Sequence, residues 1–287
     1  MKLIDLFSLA IEFGGQNDPR GKGRFEYADS RILYGRKDAE IKKVMVGIDI
    51  EAPEILLAER IRQREGLDLV IAHHPEGSAW ASFYEVMDLQ IDMLQKTGIR
   101  RTVAEAMVEE RKREVARKVL SANHMRTVDA ARLLDIPLVC LHTVADNFAS
   151  FYIHRLLNHN KPRRLQGVID ILEKVPEYKL AMKAECGPRI ILGSPGRQAG
   201  KIFVEMTGGT EGSRKVFDKL YKTGIRTLVS MHLSEEHFRK AGDANLNVVI
   251  AGHISSDTLG LNLLLDKIER HGKLEVIESS GFRRIRR

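Results

Sequence analysis

Short apolar runs alternate with longer amphipathic stretches along this chain. The runs are rich in valine, isoleucine and leucine and show no apolar/polar alternation, so we expect strands covered on both faces. Such strands alternating with helices are typical of an α/β fold with largely parallel sheets. The predicted strands are 43–50, 67–72, 136–141, 201–206, 226–231 and 247–252.

Helices are predicted where apolar residues recur at intervals of three and four. Four of these helices are followed by a glycine, the residue that most easily takes the left-handed conformation at a helix C-terminus: Gly66, Gly98, Gly224 and Gly272. The predicted helices are the N-terminal segment, 52–66, 82–98, 102–120, a stretch around 213–223, 235–243 and 257–272.

The chain has a candidate linker near its middle. Segment 158–167 is polar, basic and interrupted by a proline, and segment 185–201 is rich in glycine and proline, as expected of a loop between layers. We therefore predict two α/β lobes, 1–157 and 168–287, joined at about 158–167.

Histidines and aspartates stand at the points where predicted strands end. Because the carboxyl ends of parallel strands gather at one edge of a sheet, where such folds bind ligands, we expect these side chains to converge. A single histidine at such a position is usually a hydrogen-bonded core residue, whereas several together indicate a site. The residues are Asp49, His73, His74, His142, Asp146, His232, His253 and Asp257.

Two of these pairs share the same spacing. His142 and Asp146 are four residues apart, as are His253 and Asp257, so each pair lies on one face if a helix begins at the histidine. Imidazole and carboxylate donors without thiolate suit Zn²⁺, Mn²⁺, Fe²⁺, Co²⁺ or Ni²⁺. The spacing therefore predicts a divalent metal site.

The adjacent histidines His73 and His74 leave two arrangements open. Pro75 indicates that the strand ends there, so the two rings can splay onto two ions joined by a bridging carboxylate. In the other arrangement a single ion uses one ring, and the second ring orients a ligand.

Three further features have two interpretations each. His232 either transfers protons near neutral pH or is a polar residue at a helix entry, whereas His237 is expected to be exposed. Loop 207–213, TGGTEGS, either cradles an anion or forms a tight turn without a ligand. The glycine-rich loop 13–30 either covers the cleft or forms a subunit contact.

Composition places the chain among cytoplasmic proteins. Of 287 residues 43% are apolar, which supports a substantial core, and no apolar run reaches the roughly 18 residues of a membrane span. The apolar N-terminal segment contains acidic residues, as an amphipathic helix does and a secretory signal does not. Two cysteines are too few for a disulfide framework.

The chain is basic, with a net charge of +7 and an isoelectric point near 9.3. Most basic residues are interspersed with acidic ones, and the tail 281–287, GFRRIRR, is the one dense cluster without acids. We expect weak attraction to anionic partners. Without a nucleic-acid-binding motif or an aromatic platform, we do not expect specific nucleic-acid binding.

Three boxes contain the candidate site residues: DLVIAHHP at 68–75, LHTVAD at 141–146 and VVIAGHISSDTLGLNLL at 248–264. In these boxes the chain resembles the NGG-one-interacting-factor-three-like proteins, also known as GTP cyclohydrolase I type 2 homologues. DSRILYG at 29–35 and VMVGIDI at 44–50 are weaker echoes. The resemblance implies a two-lobed α/β protein with a dinuclear metal site in the cleft, assembled as a ring-like hexamer.

The resemblance also implies roles for individual residues. Asp146 would bridge two divalent ions, and Asp257 stands where the family usually has glutamate. After Asp146 the chain continues as NFASFYIHRLL in place of the family's Gly-Val-Asn-like segment. The implied metal ligands are His73, His74, His142, Asp146, His253 and Asp257.

These expectations lead to a metal-dependent hydrolase as the predicted function. A metal-bound hydroxide would attack a small phosphorylated or nucleotide-like substrate, with Asp146 and His232 as the catalytic residues. The alternative is a non-catalytic metal-binding regulatory or scaffold protein. The expected partners are a small-molecule substrate and further copies of the chain.

Overall fold

A computed structural model of the chain describes residues 1–21, 23 and 25–287. Residues 22 and 24, in the predicted loop 13–30, lie outside the described residues, and the role of that loop stays open. The strands form two sheets covered by helices, which confirms the α/β class. The strands are β1 (Ser30–Tyr34), β2 (Lys43–Gly47), β3 (Leu69–Ala72), β4 (Leu138–Leu141), β5 (Arg189–Leu192), β6 (Lys201–Glu205), β7 (Ile225–Ser230), β8 (Asn247–Ile250) and β9 (Glu275–Glu278).

The helices include all those predicted and several that were not. Among the described residues, no helix is both long enough and apolar enough to cross a membrane. Short 3₁₀ turns at Phe83–Asp88 and Arg214–Val216 precede α4 and α10. The helices are α1 (Leu3–Gln16), α2 (Ala52–Glu65), α3 (Gly77–Ala81), α4 (Leu89–Thr97), α5 (Arg101–Val119), α6 (Arg126–Leu133), α7 (Thr143–Asn160), α8 (Leu165–Leu172), α9 (Pro176–Lys183), α10 (Phe217–Lys222), α11 (Glu235–Asp243) and α12 (His253–Ile268).

Each sheet has buried parallel strands and one antiparallel edge. The first sheet has the order β1-β4-β3-β2-β9 and the second the order β5-β8-β7-β6. The six predicted strands are all present as the parallel strands β2, β3, β4, β6, β7 and β8. The antiparallel edge strands β1 and β5 were not predicted, because an exposed or half-buried edge does not give a continuous apolar run.

The last strand belongs to the first sheet. β9 pairs in parallel with β2, so residues 275–278 extend the N-terminal sheet although they fall within the predicted lobe 168–287. Within the predicted linker 158–167, α7 ends at Asn160 and α8 begins at Leu165. Strand β9 is thus the one strand whose sheet differs from its predicted lobe. The lobe boundaries themselves stay a prediction.

Helices α7 and α12 connect the cores of the two sheets. Val144 and Phe148 of α7 pack in the first core, whereas Ile153, further along the same helix, packs in the second. The two helices meet closely at Gly260, where an added Cβ would lie 2.4 Å from the carbonyl oxygen of Ala145. Since both helices begin at candidate site residues, this contact sets the distance between the two halves of the site.

We expect Gly260→Ala to lower the free energy of unfolding by about 1–3 kcal/mol, because the new methyl group overpacks the contact with α7. Urea denaturation measures the loss. Gly242→Ala in α11 is the matched control, because its nearest neighbours are 3.9 Å away. The control should gain up to about 1 kcal/mol, since alanine is the better helix former. Equal stability of the two variants would contradict a close α7–α12 contact.

The basic tail 281–287 packs against the protein. The buried guanidinium of Arg284 donates to Asp266 at 2.6 Å and to Glu269 at 3.0 Å. Arg287 donates through both of its terminal nitrogens to the buried carboxylate of Glu177, at 2.9 and 2.6 Å. The tail therefore is not a free cationic arm, although the sequence places no acid next to it.

Candidate metal centre

Histidines follow strands β3 and β4 of the first sheet and strand β8 of the second sheet, and their side chains meet between the two sheets. His73 and His74 come directly after β3, His142 follows β4 and opens α7, and His253 opens α12 two residues after Ala251. The structure therefore confirms that the ends of these strands meet. It also places each partner aspartate one helical turn after its histidine, on the first turn or so of α7 and α12.

His73 lies at the centre of the cluster. Its Nε2 is 3.3 Å from Asp146 Oδ1 and 3.5 Å from Asp257 Oδ1, and all three side chains are buried. Donor atoms on a zinc-sized ion with bonds of about 2.0–2.1 Å stand roughly 3.3 Å apart in a tetrahedral arrangement. The observed separations match that spacing.

The other histidines surround the same two carboxylates. His74 Nε2 and His253 Nε2 lie 3.4 and 3.6 Å from one oxygen, Asp257 Oδ2. His142 Nε2 lies 3.6 Å from Asp146 Oδ2. All six predicted ligands are therefore within one cluster, with a carboxylate at the middle of each half.

Three buried atoms of this cluster have no hydrogen-bond partner among the described residues. They are His73 Nε2, Asp146 Oδ1 and Asp257 Oδ2. An unsatisfied buried polar atom costs about 1–3 kcal/mol, so three at one point are unusual. A divalent cation is the group that satisfies an imidazole nitrogen and carboxylate oxygens together. Two overlapping sets can hold a metal ion, namely His73, His74, Asp257 and His73, His142, Asp146.

Contacts outside the cluster orient the histidine rings. In three rings Nδ1 faces an acceptor, which directs Nε2 toward the centre, as is usual for histidines that bind metals. The three contacts are His73 to the Leu141 carbonyl at 3.1 Å, His74 to Asp49 at 2.6 Å and His142 to Asp29 at 2.7 Å.

Asp29 was not among the predicted site residues. It is fully buried, and its Oδ2 accepts from both His142 and the Thr143 hydroxyl, the latter at 2.6 Å. It reaches the cluster because Ser30, at the start of β1, pairs antiparallel with Leu141 at the end of β4. The motif DSRILYG, which begins at Asp29, was the one signal of it in the sequence.

Without a cation, protons hold the cluster together. Burial lowers the pKa of His73, but the carboxylates of Asp257 and Asp146 together outweigh burial and raise that pKa well above its usual value. Burial also lowers the pKa of His74, which Asp257 nevertheless brings up to about 9. The pKa of Asp257 itself is far below normal, because the histidines outweigh the effect of burial. Burial lowers the pKa of His253 to about 4, so that ring is neutral.

Binding of a divalent cation should therefore release protons at neutral pH. His73 and His74 are protonated in the metal-free protein and must lose those protons to coordinate, so we expect a release of about two protons per chain at pH 7. Apparent affinity should rise with pH until it passes the pKa of His74, near 9. Calorimetry in buffers of different ionisation enthalpy counts the protons. Binding without proton release would contradict this charge state.

His232 lies at the mouth of the cluster. Its ring centroid is 4.6 Å from that of His253, its Nδ1 is 3.6 Å from Glu211 Oε1, and its side chain is 46% exposed. The nearby carboxylate of Glu211 raises its pKa. The prediction that His237 is exposed was wrong. Its ring is buried under loop 207–213, with Nε2 2.8 Å from the Gly212 carbonyl oxygen.

Loop 207–213 covers the His/Asp cluster. Gln90 of α4 donates to the carbonyls of Gly208 and Thr210 at 2.8 and 2.7 Å, and Thr207 donates to Asn147 of α7 at 2.7 Å. The enclosed cavity has a volume of about 50 Å³. With roughly 10–15 Å³ needed for each water, it has room for ions and a few waters but not for a nucleotide.

No protein-family model matches the sequence, and comparison with curated proteins finds no relative. Among solved structures, a NIF3 superfamily protein from Sphaerobacter thermophilus is 30% identical over 96% of this chain and 97% of that chain, with a TM-score of 0.81. Reduced HcgD from Methanocaldococcus jannaschii is 18% identical over 97% of both chains, with a TM-score of 0.56. A NIF3-related Bacillus cereus protein is 12% identical over 97% of this chain and 96% of that chain, with a TM-score of 0.52.

The last two similarities are those of a shared fold, whereas the first extends to sequence over almost the whole of both chains. It agrees with the resemblance found in the three sequence boxes, which contribute all six residues of the His/Asp cluster. The chain therefore belongs to the NIF3 superfamily.

Proposed function

We propose that the chain is a metal-dependent hydrolase whose His/Asp cluster holds two divalent ions and acts on a small phosphorylated or nucleotide-like substrate. The observation that carries the proposal is the group of partnerless buried donors His73 Nε2, Asp146 Oδ1 and Asp257 Oδ2, beside a small cavity that Asp146 and Asp257 line. Zn²⁺, Mn²⁺, Fe²⁺, Co²⁺ and Ni²⁺ all suit this nitrogen and oxygen donor set.

The placement of the donors favours two ions over one. His73 Nδ1 faces the Leu141 carbonyl, so His73 has only Nε2 to offer and serves a single ion. Each aspartate has two oxygens and can bridge. If each residue binds one ion, His73, His142 and Asp146 would hold the first ion. His74, His253 and Asp257 would hold the second.

Bound divalent ions supply Lewis acidity and lower the pKa of coordinated water. The chain adds groups that handle protons at the mouth of the cavity. His232 is paired with Glu211, whose carboxylate raises the pKa of His232 above its usual value. Burial, helped by Glu211, raises the pKa of Glu205 on the same cavity wall to about 7. We assign proton transfer to His232 and positioning of the ions to Asp146.

The small cavity limits how a substrate can bind. At about 50 Å³ it admits one small group, such as a phosphate, unless loop 207–213 moves. The body of a larger substrate would stay outside, against the exposed side of His232. The same restriction favours a second candidate function, a non-catalytic metal-binding regulatory or scaffold protein.

Hydrolysis assays separate the two functions. The metal-loaded protein should be tested against p-nitrophenyl phosphate, phosphodiesters and nucleoside triphosphates including GTP. We expect turnover that Asp146→Ala abolishes and that His232→Gln reduces with a changed pH profile, while His154→Gln, outside the cavity, leaves it unchanged. Turnover that survives Asp146→Ala indicates a contaminant. No turnover with the ions bound supports the scaffold function.

A further inference from the structure

A second polar groove lies at the opposite end of α7 from the metal cluster. Its walls are the last turn of α7, segment 161–164, loop 196–200 and the start of β6, and its volume is about 1000 Å³. Because α7 has 18 residues and rises about 1.5 Å per residue, roughly 25 Å separates the groove from His142. The groove is therefore distinct from the proposed hydrolase site, and an inference about it does not depend on that function.

Most of the excess positive charge of the chain falls in this region. Segment 155–201 has ten lysines and arginines against four aspartates and glutamates, which amounts to +6 of the net +7. No carboxylate lines the groove. Its cations form no salt bridge with any residue that the structure describes, and they are Lys161, Arg163, Arg164 and Lys201.

Other surface cations of the chain are commonly paired. Examples are the helix pairs Arg101–Glu105, Arg113–Glu109 and Arg239–Glu235, along with the arginines of the tail. Unpaired cations on the walls of a groove focus the electrostatic potential and attract anions. The groove differs from the rest of the surface by concentrating such cations without counter-charges.

Backbone hydrogen bonds fix the segment that carries three of these cations. Segment 161–165 runs antiparallel to loop 196–199, with Ala199 N donating to the Arg163 carbonyl and Leu165 N donating to the Arg197 carbonyl, both at 3.0 Å. The Arg164 side chain donates to the Gly196 carbonyl, also at 3.0 Å. The backbone of this segment and the Arg164 side chain are thus fixed before any ligand binds, which reduces the entropic cost of binding.

We propose that this groove binds an anion with two or more phosphate groups in series. Its cations lie on two separate wall segments, which favours a ligand with more than one phosphate, and the arginine fork suits phosphate oxygens. Among the described lining residues the one aromatic ring is the imidazole of His154, and there is no phenylalanine, tyrosine or tryptophan on which a base could stack. The groove therefore recognises the phosphate groups of its ligand, and both a nucleic-acid strand and a free polyphosphate provide such groups.

Fluorescence anisotropy with a labelled ten-nucleotide single strand tests the proposal, with inorganic tripolyphosphate as the competitor. The groove variant is Lys161→Gln, Arg163→Gln and Lys201→Gln combined. The matched control removes three exposed cations that form no described salt bridge on other faces, as Arg60→Gln, Arg64→Gln and Lys219→Gln. We expect affinity that falls with salt, at least tenfold weaker binding by the groove variant, and less than threefold weakening in the control.

Each outcome of this experiment either supports or overturns the proposed anion site. Displacement of the strand by tripolyphosphate supports the proposal with a small polyphosphate as a sufficient ligand, whereas binding of the strand alone supports it with a phosphodiester chain as the ligand. Equal weakening in the groove variant and the control would show that only the overall charge matters, and would overturn the proposal. Failure of both probes to bind at low salt would overturn it as well.

Discussion

Asp257→Ala will reduce the metal content of the purified protein from the proposed two ions per chain to one at most. Asp257 is buried and stands 3.4–3.6 Å from the Nε2 atoms of three histidines, so it contacts both proposed donor sets. One ion loses its carboxylate outright, and the other loses a neighbouring negative charge. Elemental analysis after dialysis against metal-free buffer counts the ions.

The expected loss of affinity exceeds 100-fold. Removing a contact outside the ligand set costs about 10–100-fold in metal affinity, and a ligand contributes more than such a contact. Asp49→Ala is the graded control, because Asp49 is exposed and only orients His74. It should weaken binding within that range and keep both ions at saturating metal.

Asp243→Ala in the exposed last turn of α11 controls for the loss of any carboxylate and should bind metal as the parent does. Circular dichroism establishes that each variant is folded. Wild-type metal content in Asp257→Ala would remove Asp257 from the site. Fewer than one ion per chain in the unchanged protein would refute the dinuclear proposal.

Residues of the site could be predicted because buried parallel strands leave a simple pattern. The apolar run 67–72 ends at His73, and both His-Asp pairs keep the spacing of four that one helix face requires. Because parallel strands of one sheet end at a common edge, the pattern was enough to bring His73, His74 and His142 together, whereas His253 follows a strand of the second sheet and meets them where α12 packs on α7. Within one sheet this reasoning needs no contact between distant parts of the chain.

The residues that were missed depend on contacts of that kind. Asp29 reaches His142 only because the antiparallel strand β1 lies beside β4, more than a hundred residues away in sequence. Gln90 fixes loop 207–213 by a similarly distant contact. Polar positions of this type have no local period, so spacing cannot reveal them.

Helix α7 was missed for a different reason. Ten of its residues are buried, because it packs between two cores, and a helix buried on most sides has no clear polar face to give a period of 3.6. Strand β9 was missed since its four residues, EVIE, are charged at both ends and only partly buried. Its place in the first sheet also depends on the docked tail that follows it.

Arg284→Ala will lower the free energy of unfolding by about 3–5 kcal/mol, the usual cost of removing one partner from a buried ion pair. The Arg284 side chain is only 3% exposed and donates to Asp266 and Glu269 of the α12 region. Without it, Asp266 loses the cation at 2.6 Å, and Glu269 keeps only the exposed Arg286 at 3.1–3.2 Å. Urea denaturation followed by circular dichroism measures the loss.

The neighbouring arginine is the matched control. Arg283 is 53% exposed and 3.9 Å from Glu278, so Arg283→Ala should change the free energy of unfolding by no more than about 0.5 kcal/mol. The two variants remove the same charge from adjacent positions, and only burial and pairing distinguish them. If both lose equally little, the tail does not hold α12, and Arg284 is a surface cation like those of the basic groove. A large loss confined to Arg284→Ala would instead show that the tail stabilises α12, the helix that carries Asp257.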